Sequence, residues 1–253
     1  METGSYLEKA SDDYQANALD KQLYQQAVGS LMYAMLGTRP DIVFPVSAVS
    51  RYASNPTQAH WGAVKRIIRY LRTTLDYQLT FQGSLKSLTG YTDSNWAGDR
   101  DTRRSTSGFI FHIGSGPISW QSKRQPIVAL STCEAEYIGQ TQAAKEAIWL
   151  RNLLRELKPT DKESAAKAVI IFGDNQGAIA LAKNPEFHAR SKHIDIRHHF
   201  VREKVAEGTV DLRYTPTKCQ VADGLTKPLP KDKFVDFRNA LGLEYVAPAA
   251  DKA

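Results

Sequence analysis

The sequence predicts a mixed α/β domain with the element order β-β-β-α-β-α-α-β-α, preceded by a smaller helical region. Three observations carry this. Near Gln82-Gly83 the texture changes from helical periodicity to short β-type runs separated by glycine-rich or charged turns. Three of those runs precede the first long helix, which requires a mixed sheet with a hairpin group and helices packed on it. Finally, 42% of the 253 residues are hydrophobic and 24% charged, a globular composition that excludes wholesale disorder.

Residues 1–22 are polar and aperiodic and read as a flexible lead-in. From Tyr24 to Leu36 the residues Leu23, Ala27, Leu31 and Met35 recur at near-helical spacing, and Gly37-Thr38-Arg39-Pro40-Asp41 breaks that helix. A second apolar stretch, Ile42 to Tyr52, stops at Asn55-Pro56. A third helix, Thr57 to Thr74, has an apolar face of Trp61, Val64, Ile68, Leu71 and Leu75. Beside it Lys65, Arg69 and Arg72 form one basic stripe, either a solvated face or a contact for a phosphate backbone.

In the second region Leu88 to Asp93, Ser107 to Ile113 and Pro117 to Trp120 read as strands, with Gly114-Ser115-Gly116 as a hairpin turn. Ser131 to Leu157 is a long helix, and Val169 to Phe172 a β-branched and aromatic strand buried on both faces. Gln176 to Lys183 and His193 to Glu207 are helices, the latter closed by Gly208. Thr209 to Tyr214 is a strand and Lys231 to Leu241 a last helix. The domain boundaries that follow are 1–22, a helical region 23–83, the α/β domain 84–243 and a flexible tail 244–253.

No apolar run approaches the roughly 20 residues of a membrane-spanning helix. The polar, acidic start is unlike a secretory signal. Cys133 and Cys219 form no C-x-x-C pattern, so zinc-ribbon and disulfide-scaffold readings fail. The net charge of +6 permits a polyanionic partner.

Carboxylates recur at the ends of elements. Asp93 lies in the first strand of the α/β region, and Asp174 directly follows the buried strand, where open α/β sheets bind ligands. Asp223 opens the last helical region. Glu134 and Glu136 both lie early in the long helix. Ser131-Thr132-Cys133-Glu134 fits a capping box, which occupies Glu134 locally. Glu136 sits roughly 200° around the helix from it, and we assign Glu136 to the site. Four converging carboxylates without matching cations repel one another. Such a set makes sense as hard oxygen ligands for Mg²⁺ or Mn²⁺.

These residues carry a resemblance. The stretches YQQAVGSLMYAMLGTRPDI, TDSNWAGDRDTRRSTSGFIF, ISWQSKRQPIVALSTCEAEYI, GDNQGAIALA, KHIDIRHHFVREKV and VADGLTKPL stand in the order of the C-terminal part of a copia-type LTR-retrotransposon Pol polyprotein. The chain resembles that family over roughly residues 24–243. The resemblance implies a reverse-transcriptase thumb and connection remnant in the helical region and an RNase H-like α/β fold after it. It implies that Asp93, Glu136, Asp174 and Asp223 are catalytic and hold two Mg²⁺ ions, with Mn²⁺ as the alternative. The implied reaction is hydrolysis of the RNA strand of an RNA–DNA hybrid. The polymerase part of the same polyprotein is an implied partner, and an intracellular site, including a virus-like particle, the implied location. A catalytically silent nucleic-acid-binding relic is the alternative.

Two departures matter. Cellular ribonucleases H often carry a mobile His in the loop before the last Asp, where this chain has Thr217-Lys218-Cys219-Gln220. No Y-x-D-D motif stands in these 253 residues, so no polymerase activity is expected of them. An integrase-type strand transferase, whose Glu comes last in chain order, does not fit Asp93, Glu136, Asp174, Asp223.

His193, His198 and His199 do not share a helix face as zinc ligands would. Arg103 and Arg104 in the first hairpin turn, with Arg190, Lys192, His193 and Arg197, are candidates for nucleic-acid contact. Trp96 and Trp120 are expected to pack in the core, with base or sugar stacking as the other reading. Asn175 is expected to cap the helix that follows it. Cys133 lacks the partners a cysteine nucleophile needs.

Overall fold

The computed structural model describes residues 7–82, 88–157, 167–184 and 200–247. The chain divides into two compact units, Met1–Phe81 with Pro228–Ala253, and Gln82–Lys227.

In the first unit, helices α1 (Ala18–Gly37), α2 (Val43–Ser50) and α3 (Gln58–Thr73) enclose a core of Tyr24, Val28, Leu31, Val46, Val49, Val64 and Ile67. Asn17 caps α1 by accepting from the Asp20 amide at 2.8 Å. The inward faces differ by one residue from those read in the sequence. Leu23 is 45% exposed and Ile68 45% exposed, while their neighbours Tyr24 and Ile67 are buried. Tyr24 takes the inward place because its hydroxyl, 2.8 Å from the Val49 carbonyl, remains satisfied when buried. Leu75, also expected on the inward face, is exposed.

The expected break after α1 is a buried polar anchor. Arg39 donates to both carboxylate oxygens of Asp41, at 3.0 and 2.8 Å, and to the Thr74 carbonyl at 3.1 Å. The Tyr70 hydroxyl donates to Asp41 at 2.5 Å. These contacts tie the loop to the end of α3.

Two boundary expectations are corrected. The lead-in is held from residue 7 onward. Tyr52 donates to the Leu7 carbonyl at 2.7 Å and Tyr14 to the Pro56 carbonyl at 3.2 Å. His60 accepts from the Thr57 amide through Nδ1, so its Nε2–H is the donor to the Glu8 carbonyl at 2.9 Å. At the other end the chain returns to the helical unit well before residue 243. Strand β1 (Tyr77–Leu79) pairs antiparallel with β7 (Leu243–Tyr245). Helix α7 (Lys231–Ala240) places Phe234 edge-on to Tyr70, with centroids 5.5 Å apart, and Arg238 over the Tyr77 ring. Three-residue strands leave too little periodicity to be seen in sequence.

The second unit is built on β2 (Leu88–Asn95), β3 (Thr106–Ile113), β4 (Gly116–Arg124), β5 (Val169–Gly173) and β6 (Val210–Tyr214). Their order is β4-β3-β2-β5-β6. The β2–β3 and β3–β4 pairs are antiparallel, and β2–β5 and β5–β6 parallel. This is the mixed sheet with helices on it that the sequence predicts. Gly114 takes φ 62° in the hairpin turn, a conformation glycine reaches without strain. Helices α4 (Thr132–Leu157), α5 (Gln176–Lys183) and α6 (Phe200–Ala206, within the described residues) pack with the sheet. Their core includes Phe109, Phe111, Tyr137, Ala144, Ile171 and Leu212.

Candidate active site: carboxylates at the strand ends

The parallel register of β2 and β5 places two aspartates side by side. Tyr91 is opposite Phe172, so two residues further on Asp93 faces Asp174, just past the end of β5. Adjacent strands lie about 4.8 Å apart, so these carboxylates are neighbours by backbone geometry. Asp223 reaches them from a single 3-10 turn, Val221–Leu225, packed against β2 and β3. That turn fits because Gly108, directly opposite Asp93, has no side chain. A Cβ there would stand 2.6 Å from Leu225 Cβ and 3.3 Å from the Leu225 backbone carbon. One carboxylate oxygen each from Asp93, Asp174 and Asp223 lies within 4.8 Å of the others.

Glu136 comes from the second turn of α4. The helix lies close on the sheet at Gly139, where an added Cβ would be 2.5 Å from Ser94 Oγ and 3.4 Å from the hydroxyls of Ser107 and Thr92. This approach lets Glu136 Oε1 accept from the Ser94 amide at 3.2 Å. Its Oε2 is buried with no hydrogen-bond partner. The Asp93 and Asp174 charges both act on Glu136.

The electrostatics follow from burial. Asp93 is 4% exposed, Glu136 5% and Asp223 8%. Burial, followed by the Asp223 charge, pushes Asp93 up to about 6, although the Thr226 hydroxyl and Lys227 favour its ionised form. Burial, with Asp93 and Asp174 after it, pushes Glu136 well above the carboxylate range, against the Ser94 amide. Among the described residues, Lys227 answers this charge. Lys227 Nζ lies 2.9 Å from Asp223 Oδ1. Burial works against its ammonium, but the Asp223 bond and the Asp93 and Asp174 charges raise its pKa overall.

Three supporting residues escaped the sequence reading. Thr226 is fully buried and hydrogen-bonds Asp93 Oδ2. Thr217 donates to Asp174 Oδ2 at 2.8 Å from the loop that lacks the histidine. Lys227 is the third. Thr226 and Lys227 stand in the GLTKPL stretch, and their spacing from Asp223 is the signal that could have drawn attention to them.

Glu134 does cap, one residue away from the expected place. Its Oε2 accepts from the Leu130 amide at 2.7 Å, while Ser131 Oγ accepts from the Glu134 amide at 3.1 Å. Replacing Glu134 by Gln, which keeps an acceptor, is expected to lower stability by about 1 kcal/mol or less and to leave the site's chemistry intact. Thermal melting and activity measured beside Glu136→Gln check this. If Glu134→Gln destroys activity and Glu136→Gln spares it, the two roles are reversed. Asn175 caps α5 as expected, accepting from the Ala178 amide at 2.9 Å.

The candidate nucleic-acid residues divide into groups. Lys65, Arg69 and Arg72 are exposed along one stripe of α3, with Arg66 beside them. Arg103 is exposed and Arg104 half-buried in the β2–β3 loop. Arg190, Lys192, His193 and Arg197, like His198 and His199, lie outside the described residues. Trp120 is half-buried, but Trp96, expected in the core, is 51% exposed.

The donor set fits a divalent cation. The candidate ligands are hard carboxylate oxygens, three lie within 4.8 Å of one another, and the fourth residue carries a buried, unpartnered oxygen. Among the described residues no other group of three or more His, Cys, Asp or Glu is so placed.

No protein-family model matches the chain. It is 49% identical over 220 residues to a retrovirus-related Pol polyprotein from transposon TNT 1-94 of Nicotiana tabacum, covering 87% of this chain and 16% of that protein. It is 40% identical over 231 residues to the Pol polyprotein from transposon RE2 of Arabidopsis thaliana, covering 91% and 16%. A secreted RxLR effector protein of Plasmopara viticola is 46% identical over 136 residues, covering 53% of this chain and 96% of that one. Among solved structures, RNase H1 from Halobacterium salinarum is 16% identical with a TM-score of 0.33, covering 59% of this chain and 98% of that one. The chain spans about one sixth of the length of the two Pol polyproteins. The agreement with them extends over most of this chain, and the chain belongs to the retrotransposon Pol polyprotein family.

Proposed function

We propose that the chain is a metal-dependent ribonuclease H module that hydrolyses the RNA strand of RNA–DNA hybrids. The observation that carries this reading is the convergence of Asp93, Asp174 and Asp223 within 4.8 Å, with the buried, unpartnered Glu136 oxygen on the same cluster.

Asp93, Glu136, Asp174 and Asp223 would hold Mg²⁺ or Mn²⁺. When bound, a pair of such ions supplies Lewis-acid stabilisation of the phosphoryl and leaving oxygens and a water deprotonated at neutral pH. The residues themselves provide placement and field. Thr226 fixes the Asp93 carboxylate and Thr217 that of Asp174. The Ser94 amide turns one Glu136 oxygen toward the backbone and leaves the other for the cluster. Lys227 lowers the cluster's negative charge and offers an ammonium beside the place a phosphate would take. Hydrolysis in this arrangement leaves a 5′-phosphate and a 3′-hydroxyl.

The test is cleavage of an end-labelled RNA–DNA hybrid by the full chain with Mg²⁺, Mn²⁺ or EDTA. The expected result is RNA cutting with either metal, none with EDTA, and an intact DNA strand. Tight binding with no cutting under any metal would favour the silent relic.

The stripe of Lys65, Arg69 and Arg72 supports phosphate contact from the helical unit. Changing all three to Ala is expected to weaken hybrid binding and to reduce the slope of log K against log salt by about two to three, since each lost phosphate contact removes roughly 0.9. An unchanged slope, measured by fluorescence anisotropy across a salt series, would exclude these residues from the interface.

A further inference from the structure

We infer that Trp96, Val128 and Leu130 form a rigid apolar platform on which one strand of the hybrid packs its sugars beside the carboxylate cluster. This rests on the nuclease reading above and adds a substrate contact to it. Trp96 is 51% exposed, Val128 48% and Leu130 71%, with Ile127 beside them at 39%. They come from two loops, one after β2 and one before α4, joined where Trp96 Nε1 donates to the Ala129 carbonyl at 3.0 Å. That bond uses the only polar atom of the indole, so the half-exposed ring leaves no unmet hydrogen bond.

Both loops are held firmly. Before α4, Ala129 is buried with Ala135 and Ile138. The Leu130 amide is bound by Glu134, and Gln125 Nε2 donates to the Ala135 carbonyl at 2.8 Å. After β2, Asp99 organises the loop by accepting from the Asp101 and Thr102 amides at 3.1 and 3.3 Å and by pairing with Arg124. Ala97 and Arg103 there take φ 53° and 56°, which non-glycine residues rarely adopt. Local strain maintained by surrounding bonds is a recurrent mark of working loops. An apolar surface fixed in this way cannot fold itself inward.

Position and charge identify the occupant. Trp96 is three residues beyond Asp93, about 10 Å of extended chain, or about three base steps of a duplex. A strand whose phosphate sits at the carboxylates therefore passes the platform within a few nucleotides. The loop that carries Trp96 holds Arg100, Arg103 and Arg104 against Asp101 and Asp99, the latter paired with Arg124, and this basic balance suits a polyanion. A protein partner fits less well, because these side chains expose only on the order of a few hundred Å², short of the ~800 Å² per partner of a stable interface. Sugars are common to every nucleotide, so the contact would add affinity and register without sequence preference.

The test uses the full chain carrying Asp174→Asn to suppress cutting, with anisotropy of a labelled hybrid across a salt series. Adding Trp96→Ala is expected to weaken binding about tenfold at every salt concentration, with the salt slope unchanged because no phosphate contact is lost. Trp96→Phe keeps a ring but loses the Ala129 bond, and should stay within about threefold of the parent. Leu130→Ser, at a largely exposed position that leaves the core alone, should weaken binding severalfold. If the parent binds tightly and Trp96→Ala and Leu130→Ser bind equally well, the platform is wrong and the nuclease reading stands. A changed salt slope in Trp96→Ala would assign the loss to displaced arginines and also overturn the platform. If the parent does not bind hybrid and the unmutated chain does not cut it, the nuclease reading falls and the platform with it.

Discussion

Asp174→Asn is expected to reduce hybrid cleavage by on the order of 10³-fold or more, with the fold unchanged. Asp174 stands immediately past β5, across from Asp93 in continued register. It is less buried than the other two aspartates, so removing its charge should cost little packing. Asparagine keeps the shape and an oxygen able to accept the Thr217 hydrogen bond. What it loses is one full negative charge from the set that would neutralise divalent cations. The informative control is Asp211→Asn. Asp211 is also an acid at the sheet, but it pairs with Lys183 at 3.3 Å and Arg213 at 2.7 Å, and those cations hold it below its ordinary range despite partial burial. It should affect cutting less than twofold, and stability by no more than the ~1 kcal/mol of an exposed pair. Single-turnover cleavage, circular dichroism and Mn²⁺ titration of both variants decide the matter. Asp174→Asn cutting within about tenfold of the unmutated chain would remove Asp174 from the metal site.

The difference between these two aspartates also explains what was legible in the sequence. Asp174 follows an uninterrupted apolar run, and a carboxylate at the end of a buried strand is conspicuous there. Asp211 lies inside the strand Val210–Tyr214, where apolar and polar residues alternate and a single acid does not stand out. Glu134 and Glu136 were separable because a capping box is a local motif with a local hydrogen bond. Lys227 and Thr226 were not legible, because their roles depend on a turn that crosses to Asp93, 133 residues away for the Thr226 contact. The return of α7 and β7 to the helical unit was hidden for the same reason. Their partners Tyr70 and Tyr77 are distant in the chain, and short strands carry almost no periodic signal. The one-residue errors in the buried faces of α1 and α3 arose where apolar neighbours, Leu23-Tyr24 and Ile67-Ile68, both satisfy helical spacing. Tertiary packing alone chooses between them. Trp96 was misjudged because aromatic residues are usually buried, whereas here the residue is half-exposed with its indole N–H satisfied by the Ala129 carbonyl.

The carboxylates that would serve catalysis should weaken the metal-free protein, and Glu136→Gln should make it more stable while abolishing cleavage. Both Asp93 and Glu136 are held above their ordinary range, by burial first and by neighbouring charges next. In the unfolded chain such groups ionise near pH 4. In the folded, metal-free chain they keep their protons to higher pH, Asp93 to about 6. Across that interval the folded state binds more protons than the unfolded one, so their contribution is fully present below about pH 4 and falls as pH rises through the folded values. For Asp93 a rise from 3.8 to about 6 corresponds to roughly 3 kcal/mol lost by neutral pH, and Glu136 adds to it in the same direction. Glutamine at 136 keeps the acceptor for the Ser94 amide and is neutral without having to take up a proton on folding. Melting in EDTA from pH 5 to pH 9 should therefore show a falling midpoint for the unmutated chain and a higher, flatter curve for Glu136→Gln. Mg²⁺ should raise the midpoint of the first far more than that of the second, because bound cation replaces the missing protons. A flat curve for the unmutated chain, or a lower midpoint for Glu136→Gln in EDTA, would mean that the cluster is not under the electrostatic strain its burial implies. Bound cation would relieve this strain, since positive charge beside Asp93 and Glu136 favours their ionised forms within a site this closely packed.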